Sequence, residues 1–516
     1  MAGSRIGRLA SETAVYGISS VVGRLINFLL FPLYSQVFDP DVYQPIAILY
    51  AAFIFFNILY QHGMESAYLK FATDRKELSG RSRAVGTAVL SISLVGLAIS
   101  ALIWLLPEPI SRLIQLDIRY AELLMLGGWI LLLDALAIVP YADLRLRNRA
   151  WTFAGVRMAN VAVNVGLNLW FILGLEWGVR GVLMANLIAS LVAFVLLLPS
   201  LATRMGKPDG SLWGKLLRFG LPFVPGGIGY AITERINLFF LDTMEPMRAV
   251  SLYELTPESY PELHARAAEF GEQIFTEHVV GVFGGIIKLA VLMALFVQMF
   301  RYAWQPFFLQ HQEDEDAPAL FGRVFALLTL VLLTAFLGIS FFADELVALP
   351  LPGSRTLIAE TYWMGLSIIP IALVGYVFQG WYYHFSAGAY IRGVSKYFLH
   401  ATLAGSTVAL VLNATLVPTH GMWAAALATS AAYAVMAMTL LGLIRSDYPV
   451  PYAWSRIVLA VALAGSLFGA WLRIPMMQHW LIEFILIGVF SLAGARILDV
   501  SPESLDDSGH TASPSP

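Results

Sequence analysis

The chain is a succession of long apolar runs separated by short polar breaks, and the length of those runs sets the fold class. Apolar stretches cover residues 14–38, 43–62, 84–106, 121–142, 151–173, 178–201, 213–241, 279–300, 321–343, 360–385, 396–417, 420–444, 453–472 and 479–497. A helix needs about 20 such residues to cross the hydrocarbon core of a bilayer. The runs are too long, and too poor in period-two alternation, to be strands of an outer-membrane barrel. The pattern predicts an all-α polytopic membrane protein with 14 transmembrane helices.

The polar breaks carry the orientation. With a cytoplasmic N-terminus, the inside segments hold 21 of the 32 Lys and Arg residues, including Arg5, Lys70, Arg81, Arg145, Arg204 and Arg301; the outside loops hold seven. The other four, Arg24, Arg157, Arg235 and Lys288, lie within spans. Basic residues concentrate on the cytoplasmic side of membrane proteins, so both termini are expected inside. The first span follows Arg5 and Arg8 but is too long for a signal-peptide core, and it is read as a retained helix.

Composition agrees with the pattern. Of the 516 residues, 58% are hydrophobic and 13% charged, with a mean hydropathy of +0.71, which no ordinary water-soluble surface can accommodate. A net charge of −3 gives no reason to expect nucleic acid as a partner. The absence of cysteine excludes disulfides and thiolate chemistry. The acidic run Glu313-Asp314-Glu315-Asp316 reads as a solvated connector, and no metal site is expected.

An internal repeat organises the chain. Ile26-Asn27 matches Ile236-Asn237 at an offset of 210, and Leu167-Asn168 matches Leu412-Asn413 at an offset of 245. The difference of 35 is close to the length of an acidic outside segment, residues 242–278, which has eight acids against two arginines and reads as a solvated insertion. Helices 1–6 (residues 1–201) and 7–12 (residues 202–444) therefore form two copies of one six-helix unit. Helices 13 and 14 (residues 445–498) are appended, and the tail 499–516 reads as disordered. Units of six helices enter from the same side, which makes the repeat parallel.

Charges inside spans are expensive and mark function. On helix 5, Arg157, Asn160, Asn164 and Asn168 fall on one helical face, and in helix 1 Arg24 and Asn27 do so with Tyr16 and Ser20. Arginine offers planar bidentate donors to phosphate oxygens, and asparagine offers both donors and acceptors to sugar hydroxyls. The other reading of the asparagines is interhelical glue. Lys288 is a further candidate cation. In helix 7, Arg24 aligns with Glu234 rather than Arg235, so Glu234, with Asp134 in helix 4, becomes a candidate for ion or proton coupling, while Arg235 points elsewhere. Pro222, Pro225, Gly226, Gly227 and Gly229 weaken helix 7, and Pro32 does the same in helix 1.

Several short stretches carry a family likeness: Gly63-Met64-Glu65-Ser66-Ala67-Tyr68, Arg147-Asn148-Arg149-Ala150 leading into Asn164 and Asn168, Phe219-Gly220-Leu221-Pro222, and Pro418-Thr419-His420-Gly421. Over residues 10–445 the chain resembles the Wzx-type polysaccharide flippases of the multidrug/oligosaccharidyl-lipid/polysaccharide (MOP) exporter superfamily, related to the lipid II flippases. The insertion at 242–278 departs from that pattern. The resemblance implies two lobes and a polyprenyl-diphosphate-linked oligosaccharide turned from the inner to the outer leaflet by alternating access, in a bacterial inner membrane. It implies a monomeric transporter rather than an enzyme, with no cofactor, a coupling ion that is H+ or Na+ if there is one, and contacts to other polysaccharide assembly proteins. The alternatives are a MATE-like drug or cation antiporter, and a membrane glycosyltransferase or polymerase using the outside loop.

Overall fold

The computed structural model describes residues 28–73, 78–353 and 355–500. The helices begin with α1, visible as Phe28–Val37, followed by α2 (Pro40–Gln61), α3 (Met64–Thr73), α4 (Leu78–Leu105), α5 (Pro107–Leu113), α6 (Ala121–Leu146), α7 (Ala150–Leu169) and α8 (Gly178–Ala202). Next come α9 (Gly210–Gly220), α10 (Phe223–Asp242), α11 (Pro246–Tyr253), α12 (Pro261–Phe270), α13 (Gln273–Ile286), α14 (Val291–His311), α15 (Ala317–Phe341) and α16 (Ala343–Val347). The last are α17 (Ile369–Ile391), α18 (Lys396–Ile444), α19 (Trp454–Arg473) and α20 (Trp480–Leu498). A two-stranded ladder pairs Pro350–Leu351 with Arg355–Thr356.

Among the described residues, 11 helical segments are long and apolar enough to cross a membrane. One of them, Lys396–Ile444, breaks at Gly421 (φ 57°, ψ −134°) and so supplies two spans. Two more passes fall outside that set. Only Phe28–Val37 of the first helix is described, and α10 carries Glu234 and Arg235 in its middle. The expected number of spans is compatible with this inventory.

The expected seventh span, 213–241, is divided. Pro222 has no N–H to continue the helix, and the chain turns at Leu221–Pro222 between α9 and α10. α9 buries Leu212, Leu216 and Gly220 on one side and exposes Lys215 on the other, the form of a helix lying at an interface. Asp209 caps it by accepting from the N–H groups of Ser211 and Leu212.

The chain clusters into two compact units. Of the described residues, the first takes those up to Gly285 together with Asn413–Met422; the second takes Ile286–Leu412 and those from Trp423 onward. In the first, α6 packs against α4 and α8, α7 against α8, and α2 against both α6 and α10. Its apolar seam includes Tyr141, Leu144, Phe153, Val156, Ala193 and Leu197. In the second, α14, α15 and α17 meet around Trp304, Phe308, Phe321 and Ala387, and α19 and α20 pack on α15.

Candidate functional site

Within the first unit, polar side chains from five helices converge on one face. α7 brings Arg157, Asn160, Asn164 and Asn168, spaced so that they lie along one side over a rise of about 16 Å. α6 brings Asp134 and Tyr141, α8 brings Asn186 and Ser190, α2 brings Tyr50, and α1 brings Tyr34. Helices of this composition contain few polar groups, and here those groups find one another.

The two charges of this face act on one another. Arg157 stacks on Tyr141, its guanidinium carbon 4.4 Å from the ring centroid, with Phe153 further off at 5.8 Å. It interacts electrostatically with Asp134, which also accepts a hydrogen bond from Ser190. Asp134 in turn acts on Tyr50, whose hydroxyl accepts from Asn186 Nδ2 at 2.7 Å. Arg157 and Asp134 are both solvent-accessible although they sit inside spans. A charged pair exposed at that depth requires water or a polar ligand on its open side. Among the described residues the Arg157 guanidinium donates no hydrogen bond, so its N–H groups remain available to a ligand.

Further along α7, the asparagines divide their work. Asn168 is buried: its Oδ1 accepts from Tyr34 at 2.9 Å and its Nδ2 donates to the Asn164 backbone and side-chain oxygens at 2.8 and 3.0 Å. That is interhelical glue between α1 and α7. Asn160 and Asn164 are partly accessible.

The remaining predicted residues are dispersed. On α10, Tyr230 donates to Glu234 at 3.0 Å. Arg235 comes within electrostatic reach of the buried Tyr43 on α2, and its Nε is buried without a hydrogen-bond partner among the described residues. Lys288 is half-buried in a 3₁₀ turn, Ile287–Ala290, of the second unit. Arg24 and Asn27 lie outside the described residues. Among the described residues no group of three or more His, Asp or Glu side chains is placed to hold a metal ion.

The model of a family described as "Polysaccharide biosynthesis protein" matches residues 35–260, a little under half of the chain. No curated protein matches. Among solved structures, the lipid II flippase MurJ in an inward closed conformation aligns over 94% of this chain and 100% of its own, with a TM-score of 0.71 and 13% identity. An inward-facing multidrug resistance MATE family transporter of the MOP superfamily aligns over 82% and 95% respectively, at TM-score 0.61 and 16% identity. The MATE multidrug transporter DinF-BH aligns over 86% and 96%, at TM-score 0.55 and 16% identity.

The chain shares the fold of these transporters.

The comparisons bear out the fold that the resemblance implied, and the contacts of this structure explain several of the motifs that carried it. Tyr68 donates to Asp143 at 2.8 Å, and Asp143 pairs with Arg147 at 2.6 Å, while Glu65 pairs with Arg145. The Gly63–Tyr68 and Arg147–Ala150 motifs therefore tie α3 to the end of α6. Two histidines are packed: His62 bonds Ser91 Oγ and the Tyr60 carbonyl, and His384 donates to the Phe321 carbonyl. Gln379 is buried and donates to Tyr433, so it serves packing in the second unit.

Sequence reasoning missed Tyr34, Tyr50, Tyr141, Asn186 and Ser190. The signal available was weak, because a tyrosine or an amide inside a span is common glue. Asn186 and Ser190 stand four residues apart on α8, one helical turn, and that spacing alone could have raised them.

Proposed function

We propose that the protein turns a polyprenyl-diphosphate-linked oligosaccharide from the cytoplasmic to the outer leaflet of a bacterial inner membrane by alternating access. The observation that carries this reading is Arg157: an accessible guanidinium inside a span, held against Tyr141, with its donors uncommitted among the described residues. A diphosphate crossing a bilayer needs such donors, because no water solvates it there. Asn160 and Asn164 extend the same face toward the sugar, Asn168 and Tyr34 position them, and Arg24 and Asn27 are proposed to join from helix 1. Arg235 and Lys288 are proposed as further cations of the path, and Asp134, ahead of Glu234, as the coupling group. The polysaccharide-biosynthesis family match supports a sugar-linked substrate, and the MOP fold supports transport rather than catalysis.

The test is translocation of a fluorescent polyprenyl-diphosphate oligosaccharide in proteoliposomes, together with mass spectrometry of the lipid that copurifies. Arg157→Ala should abolish translocation while leaving the protein inserted, and Arg157→Lys should restore part of it. Full translocation by Arg157→Ala would sink the assignment.

One observation favours a second reading. Asp134 is an accessible carboxylate on the same face, which suits an organic cation. A MATE-like antiporter should bind a lipophilic cation with an affinity that Asp134→Asn removes; a flippase should bind the lipid diphosphate with an affinity that Arg157→Ala removes.

A further inference from the structure

The acidic segment 242–278 reads from the sequence as a solvated insertion, and the structure shows it anchored at several points. α12 rests on little apolar surface, Leu263 being its buried residue. What fixes it is Arg266. One guanidinium nitrogen lies 2.9 Å from Asp39 Oδ2 and the other 2.9 Å from Asp41 Oδ1, so a single fork grips both carboxylates at the start of α2. Asp41 is buried, and His278 Nδ1 stands 3.8 Å from it, with the Tyr260 ring edge-on to that imidazole.

A second tie lies beside the first. Arg119, in the turn before α6, pairs with Glu277 at 2.8 Å and lies over Phe270 at 5.4 Å from the ring centroid. A third reaches the break in α18: Tyr253 Oη accepts from the Met422 N–H at 2.7 Å, and Arg248 donates to the Thr419 carbonyl at 2.9 Å. Beneath these ties, the helices themselves meet closely. Gln44 on α2 donates to Asp242 at 2.9 Å, and Gly281 on α13 lies so near the Pro40 carbonyl that a Cβ there would overlap it.

The partners of the first two ties come from different copies of the internal repeat, and the third joins the insertion to α18 of its own copy. Asp39, Asp41 and Arg119 belong to the first, whereas Arg266, Glu277, Tyr253 and Thr419 belong to the second or to the insertion within it. The Arg266–Asp39 pair is accessible enough for water to replace it at small cost, whereas Asp41 is buried, so releasing Arg266 is favourable only when water reaches Asp41 as the outer side opens. We propose that the insertion is an extracytoplasmic strap, which fastens α2 to α10 and α13 at their outer ends and must release Arg266 from Asp39 and Asp41 before the outer side can open. The proposal rests on the transport reading given above.

The chain has no cysteine, so single thiols can be introduced cleanly. Ala47 is buried on α2 against Gly284, and Ala47→Cys gives a reporter for opening. A membrane-impermeant thiol reagent should label this cysteine slowly in the full chain and about tenfold faster when Arg266→Gln is added, the change expected from removing about 1.4 kcal/mol of closed-state contact. In a separate Asp39→Cys/Arg266→Cys variant, a short bifunctional methanethiosulfonate should arrest translocation, and reductant should restore it, which excludes misfolding as the cause. Equal labelling with and without Arg266→Gln, or undiminished translocation while cross-linked, overturns the strap. If no variant translocates even without the cross-linker, the transport reading fails instead, and the labelling rates alone decide the strap.

Discussion

The Arg157 guanidinium lies 4.4 Å from the centroid of the Tyr141 ring, so a cation inside the membrane is held by an aromatic face rather than by a carboxylate at close range. A cation held this way keeps its N–H edge free, because the ring occupies only the flat face of the guanidinium. Tyr141→Phe preserves the ring and should leave diphosphate-lipid binding nearly unchanged. Tyr141→Leu removes the platform and should weaken binding about 2- to 30-fold, from a contact worth about 0.5–2 kcal/mol. Titration of purified protein with the lipid diphosphate checks both.

Asp134 competes with any anion for Arg157, since the two interact across the same accessible face. Asp134→Asn should therefore tighten diphosphate binding severalfold. If transport depends on a proton or sodium gradient, the same substitution should remove that dependence, whereas Glu234→Gln should not. Glu234 is engaged with Tyr230 on its own helix, while Asp134 acts directly on the cation proposed to hold the substrate. Loss of gradient dependence in Glu234→Gln alone would reverse the assignment.

Most of the membrane-spanning helices were legible in the sequence because a bilayer tolerates no other pattern, but the run 213–241 merged α9 with α10, since the break at Leu221–Pro222 interrupts no apolar stretch. The Arg157 stripe was legible for the same reason, as polar residues at helical spacing on an apolar background. Its partners were not, because Tyr141 and Tyr50 acquire meaning only when α6 and α2 are brought beside α7 and α8. The insertion misleads because eight acids resemble a solvated loop. The pairing of Glu277 with Arg119, and the grip of Arg266 on Asp39 and Asp41, join residues more than 150 positions apart, which no local pattern encodes.

Asp143 holds the end of α6 to α3, accepting from the buried Tyr68 while pairing with Arg147, which also donates to Ser200 at 2.6 Å. Asp143→Asn removes the charge that balances Arg147 and should cost about 3 kcal/mol, the lower end for breaking a buried pair. Tyr68→Phe should cost about 1–3 kcal/mol, by leaving a carboxylate oxygen short of a donor. Thermal unfolding in detergent, with the double variant to measure coupling, checks both values.

Tyr253 and Gly421 form the most tightly specified contact of the insertion. Gly421 adopts φ 57° and ψ −134°, a combination open to glycine and costly for residues with a Cβ, and a Cβ there would also overlap the Tyr253 hydroxyl. Gly421→Ala should destabilise the protein by about 1–3 kcal/mol. Adding Tyr253→Phe should relieve the overlap yet leave the backbone strain, so the double variant should remain less stable than Tyr253→Phe alone. Tyr253 also sets an alkaline limit. Burial pushes its hydroxyl up to about 12, against a smaller opposing effect of the hydrogen bond from Met422. The neutral phenol is thus favoured by the fold, and its contribution is intact below about pH 10, the ordinary tyrosine value, and lost as pH rises from there toward 12. Unfolding temperature measured between pH 8 and about 11.5 should fall less steeply in Tyr253→Phe than in the parent chain. Identical slopes would show that the hydroxyl is not buried in the folded protein.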